Sequence, residues 1–106
     1  MSLDRRPIRV DYRDRDSLHP MGILVDLDSG KGLLRCCFFD ERTGDYAMHV
    51  RDASGHLQFN ATRTAVLIKE GHGNIWFEPY GPMDAAIVRR IEAQQYGEAH
   101  ATQEKA

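Results

Sequence analysis

The chain has 106 residues, of which 42% are hydrophobic and 28% charged, and its formal net charge is -2. Those values describe one globular domain with one core, too short for separate substrate and cofactor domains. The small negative charge argues against a general nucleic-acid or anionic-membrane binder, and no apolar run reaches the roughly 18 residues of a membrane span.

The chain opens MSLDRRPIRV. This stretch is charged and lacks the apolar segment of a secretory signal. The expected location is therefore cytoplasmic, and Cys36 and Cys37 are expected as free thiols. Residues 1–7 read as a flexible arm. In residues 8–13, Ile8, Val10 and Tyr12 alternate with Arg9, Asp11 and Arg13, the period-two pattern of a half-buried strand. Residues 23–28 set Ile23, Val25 and Leu27 on one face, which leaves Leu24 on the other. A strand over 33–39 follows. Residues 46–51 alternate Tyr46, Met48 and Val50 with Ala47, His49 and Arg51, and 57–60 place Leu57 with Phe59. Residues 65–69 and 75–78 read as a last hairpin around Gly71, His72, Gly73 and Asn74. Turn residues cluster at 28–32, 40–45, 52–55 and 70–74, which supply the backbone conformations that hairpins need.

After Pro79 the period changes. Met83, Ile87, Val88 and Ile91 fall at helical spacing, Asp84 sits in the first turn where it suits the helix dipole, and Gly97 is a plausible stop. The spacing predicts a helix over 83–96 and a frayed tail over 97–106. Strands this regular predict a mainly β single domain. About six or seven antiparallel strands form its curled sheet or small barrel over residues 8–79, with one C-terminal α-helix.

One stretch carries most of the functional argument. Residues 33–42 read LLRCCFFDER. On a regular strand Leu33, Cys37 and Phe39 share one face, while Leu34, Cys36 and Phe38 share the other. Neither face reads as solvated, so this is expected to be a central strand covered on both sides. Adjacent strand cysteines diverge, so neither a disulfide nor a shared metal ion suits them. The outer face then holds Leu34, Cys36 and Phe38, and by the same alternation Leu24, Leu67 and Trp76. That is more apolar surface than one helix hides, and such patches mark interfaces. These six residues form the candidate interface, with a homodimer or a protein partner as its occupant.

Chemistry-bearing patterns are sparse. The five histidines show no metal-ligand spacing, and the run Asp26, Leu27, Asp28, Ser29, Gly30 starts like a calcium loop but lacks its later ligands. Asp40 and Glu41 read as a solvent-facing turn pair. No catalytic residue, cofactor or metal site is expected. The leading functional expectation is a non-enzymatic interaction or assembly module. Behind it stand a small-ligand binder or small enzyme with a pocket between sheet and helix, and then a nucleic-acid-binding barrel.

Overall fold

The computed structural model describes residues 5–33 and 36–97. Seven strands form two antiparallel sheets that curl around one core without closing into a barrel. Strands β1 (Arg9–Asp11), β4 (Cys36–Asp40), β5 (Asp45–His49) and β6 (Ile68–His72) make the first sheet, in the order β1-β4-β5-β6. Strands β3 (Gly32–Leu33), β2 (Gly22–Asp26) and β7 (Ile75–Pro79) make the second, in the order β3-β2-β7. Helix α1 (Pro82–Glu92) follows and widens into a π-helical turn, Ala93–Gly97. The expected mainly β architecture with a C-terminal helix is what the chain adopts.

Two expectations about connectivity are corrected. The run 33–39 is not one strand: Leu33 ends β3 in the second sheet, and Cys36 opens β4 in the first. Strands β6 and β7 likewise do not pair, because the 73–74 turn carries the chain from one sheet to the other. Apolar alternation marks where strands lie and is silent about which strand pairs with which. Residues 57–60 make only isolated bridges, Arg51 to Leu57 and Phe59 to Val66. They belong to an excursion between β5 and β6 that is held by backbone bonds such as Gln58 to Val50 (2.9 Å) and Leu67 to Gln58 (2.8 Å).

Between the sheets lie Ile8, Val10, Leu24, Phe39, Ile75 and Phe77, with Val88 and Ile91 of the helix closing one side. Phe39 of the first sheet stacks on Phe77 of the second, ring centroids 5.1 Å apart and planes 13° from parallel. Burying each such side chain stabilises the fold by roughly 1.5–3 kcal/mol. Pro82 starts the helix, where a missing N–H costs nothing, and the Asp84 carboxylate accepts a hydrogen bond from the Met21 N–H (2.9 Å). The β4–β5 hairpin turns at Gly44, whose φ of +85° favours glycine; its N–H donates to Asp40 O (2.8 Å).

A buried ion pair joins the two sheets. The Glu41 side chain is 0% exposed. Its carboxylate accepts from Arg5 Nη1 (2.6 Å), Arg5 Nη2 (2.9 Å), the Ile8 N–H (2.8 Å) and the Phe77 N–H (2.6 Å). Arg5 also donates to Phe77 O (2.8 Å) and lies 3.9 Å above the centre of the Trp76 ring. The reading of Glu41 as a solvent-facing turn residue is therefore corrected. A carboxylate with this many donors is stable away from water, and sequence adjacency to a turn hid it.

Candidate functional site

The cysteine pair is resolved by a β-bulge. Cys36 pairs with Met48 and Phe38 with Ala47, so two steps along β4 match one step along β5. The unmatched residue is Cys37, and the bulge turns Cys36 to the same side as Phe39. The expected pairing of faces, Cys36 with Phe38, does not form. Cys36 faces inward and is half-buried against the core, Cys37 is buried at 2% exposure, and Phe38 points outward. The inward turn also separates Cys36 from His49, which the register places on the outer face.

The six residues of the candidate interface do not share a surface. Leu24 is 2% exposed in the core, because β2 takes the opposite phase to that expected: Leu24 pairs with Phe77 and Leu33, and Ile23 and Val25 face out. Three consecutive apolar residues allow either phase, and cross-strand pairing chooses. Trp76 does face away from the core, yet it is 7% exposed and lies under Arg5, so it offers little area to a partner. Phe38 is half-buried beneath Arg9 and Arg13, whose guanidinium carbons sit 4.9 Å and 5.6 Å from its ring centre. Leu67 is exposed beside the edge strand β6. Leu34 lies outside the described residues. The outer face of the first sheet thus carries one aromatic among Arg9, Asp11, Asp40, Asp45 and Glu70, not an apolar stripe.

What the structure brings together instead is a groove between the sheets. It has a volume of about 530 Å³ and is lined by Tyr12, Met21, Leu24, Leu33, Cys36 and Phe39 among others. The Tyr12 hydroxyl donates to Pro20 O (2.6 Å) and fixes one wall. At the mouth, Met21 and Tyr80 stay exposed, joined by the Tyr80 N–H to Met21 O bond (3.0 Å). Met83 is exposed on the first turn of α1, next to the Asp84 that holds Met21. Sequence reasoning missed this site. Pro20, Met21 and Tyr80 sit in connections outside the strands, and the one usable signal was Met21 and Tyr80 flanking two runs that pair with each other.

Burial tunes the groove chemically. It pushes the Cys36 thiol and the Tyr12 phenol up from their ordinary values of 9.0 and 10.0, and does the same to the Cys37 thiol. The Cys36 thiol donates to Phe38 O (2.7 Å) or Ala47 O (3.1 Å), and Cys37 to Ala47 O (3.4 Å). All three acids are held neutral. Their contribution to stability is complete below the unfolded-state values. It is lost as pH rises past about 9, where the unfolded chain ionises first and the folded chain resists. The melting temperature is expected to stay level from pH 7 to 8.5 and fall above pH 9. A Cys37→Ala, Tyr12→Phe variant that falls as steeply would assign the loss to other groups. Thermal denaturation across that range, read by circular dichroism, provides the measurement.

Among the described residues no helix is long and apolar enough to cross a membrane, and no group of three or more His, Cys, Asp or Glu side chains could hold a metal ion. Compared with protein-family models, curated proteins and solved structures, the chain matches none.

Proposed function

We propose that this protein is a non-enzymatic binding module whose groove between the two sheets takes a small, mainly apolar ligand. The observation that carries the reading is the groove itself: about 530 Å³, walled by aliphatic and aromatic side chains, and left with methionine and tyrosine exposed at its mouth. That volume lies in the range of small-molecule sites, which combine apolar walls with a few polar groups that orient the ligand. Methionine suits such a rim because its flexible thioether adapts to many shapes. Two titratable groups of the lining, Tyr12 and Cys36, are driven toward their neutral forms by burial. This supports binding over acid–base or nucleophilic chemistry, which needs groups poised to change charge near neutral pH. A reducing cytoplasm is part of the same proposal, supported by two free thiols.

Fluorescence titration with anilinonaphthalene sulfonate tests the reading. The folded wild type is expected to bind the dye saturably, with a raised melting temperature. Leu33→Trp fills the groove from its half-buried wall position and is expected to lose at least tenfold in affinity. Absence of saturable binding, or equal binding by Leu33→Trp, overturns the proposal.

A second reading, a protein-interaction module, is favoured by a separate observation. Phe59, Leu67 and Ile68 are 42%, 41% and 41% exposed on and beside the excursion at the edge of the first sheet. A nucleic-acid surface has less support, since Arg13 is paired to Asp11 (2.9 Å) and the face around Phe38 mixes both charges.

A further inference from the structure

An exposed strand edge presents unpaired N–H and C=O groups that invite another strand. This chain closes two such edges with side chains that mimic a neighbouring strand. On β1, the Arg9 N–H donates to Gln95 Oε1 (3.1 Å) and its carbonyl accepts from Gln95 Nε2 (2.8 Å). Gln95 stands on the π-helical turn. On β7, the Phe77 N–H donates to Glu41 and its carbonyl accepts from Arg5. Strand β6 is the outer strand of the first sheet, and among the described residues no side chain does the same for it.

The phase of β6 follows from its two flanking bonds. The Val50 N–H donates to Leu67 O (3.0 Å), and the Gly73 N–H donates to Gly44 O (2.9 Å). Between these two bonds, Lys69 and Gly71 therefore point their backbone groups at β5. Ile68, Glu70 and His72 point theirs away from the sheet. These three side chains are also exposed.

We infer that the β6 edge is a self-association surface: two copies of this chain pair β6 against β6 about a two-fold axis at Gly71, joining their first sheets into one. In an antiparallel pair, outward-pointing residues must face outward-pointing residues. The axis must then pass through a residue, and charge selects which. Centred on Glu70, the pairing sets Glu70 against Glu70 of the second copy. Centred on Lys69, it sets Lys69 against its own copy. Centred on Gly71, it sets each Glu70 opposite His72 of the other copy, the complementary arrangement. His72 already holds Asp45 through Nδ1 (2.8 Å), which leaves its Nε2 for the incoming carboxylate. Tyr46 lies across Gly71 on the inner face, so the axis is flanked by two tyrosine rings. The surface is separate from the groove, and its test does not depend on the ligand.

Solution mass by size exclusion with light scattering, over a concentration series, reads the proposal directly. The wild type is expected to rise from 12.1 kDa toward twice that mass. Glu70→Pro removes only an outward N–H, which an edge strand tolerates, and is expected to remain at the monomer mass with its circular dichroism unchanged. Should that variant unfold, Glu70→Lys carries the same test: a cation facing His72 is expected to raise the dimer dissociation constant about tenfold. A wild type that stays monomeric at every concentration overturns the inference. So does a dimer that survives both variants, which would locate the contact elsewhere.

Discussion

Replacing Glu41 by alanine is expected to cost the fold about 3–5 kcal/mol, the range for removing one partner of a buried pair. The reason is what the carboxylate leaves behind. Arg5 retains a guanidinium with only 12% side-chain exposure, and the Ile8 and Phe77 N–H groups lose their acceptor. None of these regains its hydrogen bonds without water entering the seam between the sheets. A domain of this size is stable by only about 5–15 kcal/mol, so the loss takes a large share. Glu41→Gln keeps the shape and one acceptor oxygen, and is expected to fall between alanine and wild type. Guanidinium unfolding followed at Trp76 gives the numbers, and the native emission should shift to the red as Arg5 leaves the indole. A cost below about 1 kcal/mol would mean that the carboxylate is solvated.

The second large effect concerns two adjacent phenylalanines. Phe39→Ala is expected to destabilise by about 3–5 kcal/mol, whereas Phe38→Ala is expected to cost about 1 kcal/mol. Phe39 is 0% exposed and stacks on Phe77, so its loss opens a cavity at the centre of the core. Phe38 lies outside the sheet under two arginines, where cation–π contacts at a surface contribute little. Denaturant midpoints of the two variants give the comparison. Equal losses would contradict the inward placing of Phe39 and the outward placing of Phe38.

These expectations show which features the amino-acid order makes legible. Alternation alone located β1, β5 and β7, since each mixes apolar with polar or aromatic residues and so defines a phase. It failed at β2, where Ile23, Leu24 and Val25 are interchangeable by hydropathy and the partner residues Phe77 and Leu33 decide. It failed again at β4, because a bulge inserts one residue without any hydropathy signal. Glu41 could not be read as buried, since its donors Arg5, Ile8 and Phe77 come from residues 33 to 36 positions away. The groove depends on the same long-range pairing. Its rim residues Met21 and Tyr80 meet only because β2 and β7 are partners. The helix was legible through its 3.6-residue spacing, and its π-helical end was not, because Gln95 acts through backbone bonds that leave no pattern.

The seam made by Arg5 and Glu41 has a kinetic side. It ties residue 5 to residue 41 and, 72 positions from Arg5, to Phe77. Contacts spanning that much chain repay their loop-closure entropy only after the intervening strands have assembled. Such a bond is expected to close late in folding, so that Glu41→Ala raises the unfolding rate more than it lowers the folding rate in stopped-flow measurements. The carboxylate that joins the sheets is then expected to govern how long each folded molecule lasts more than how quickly it forms.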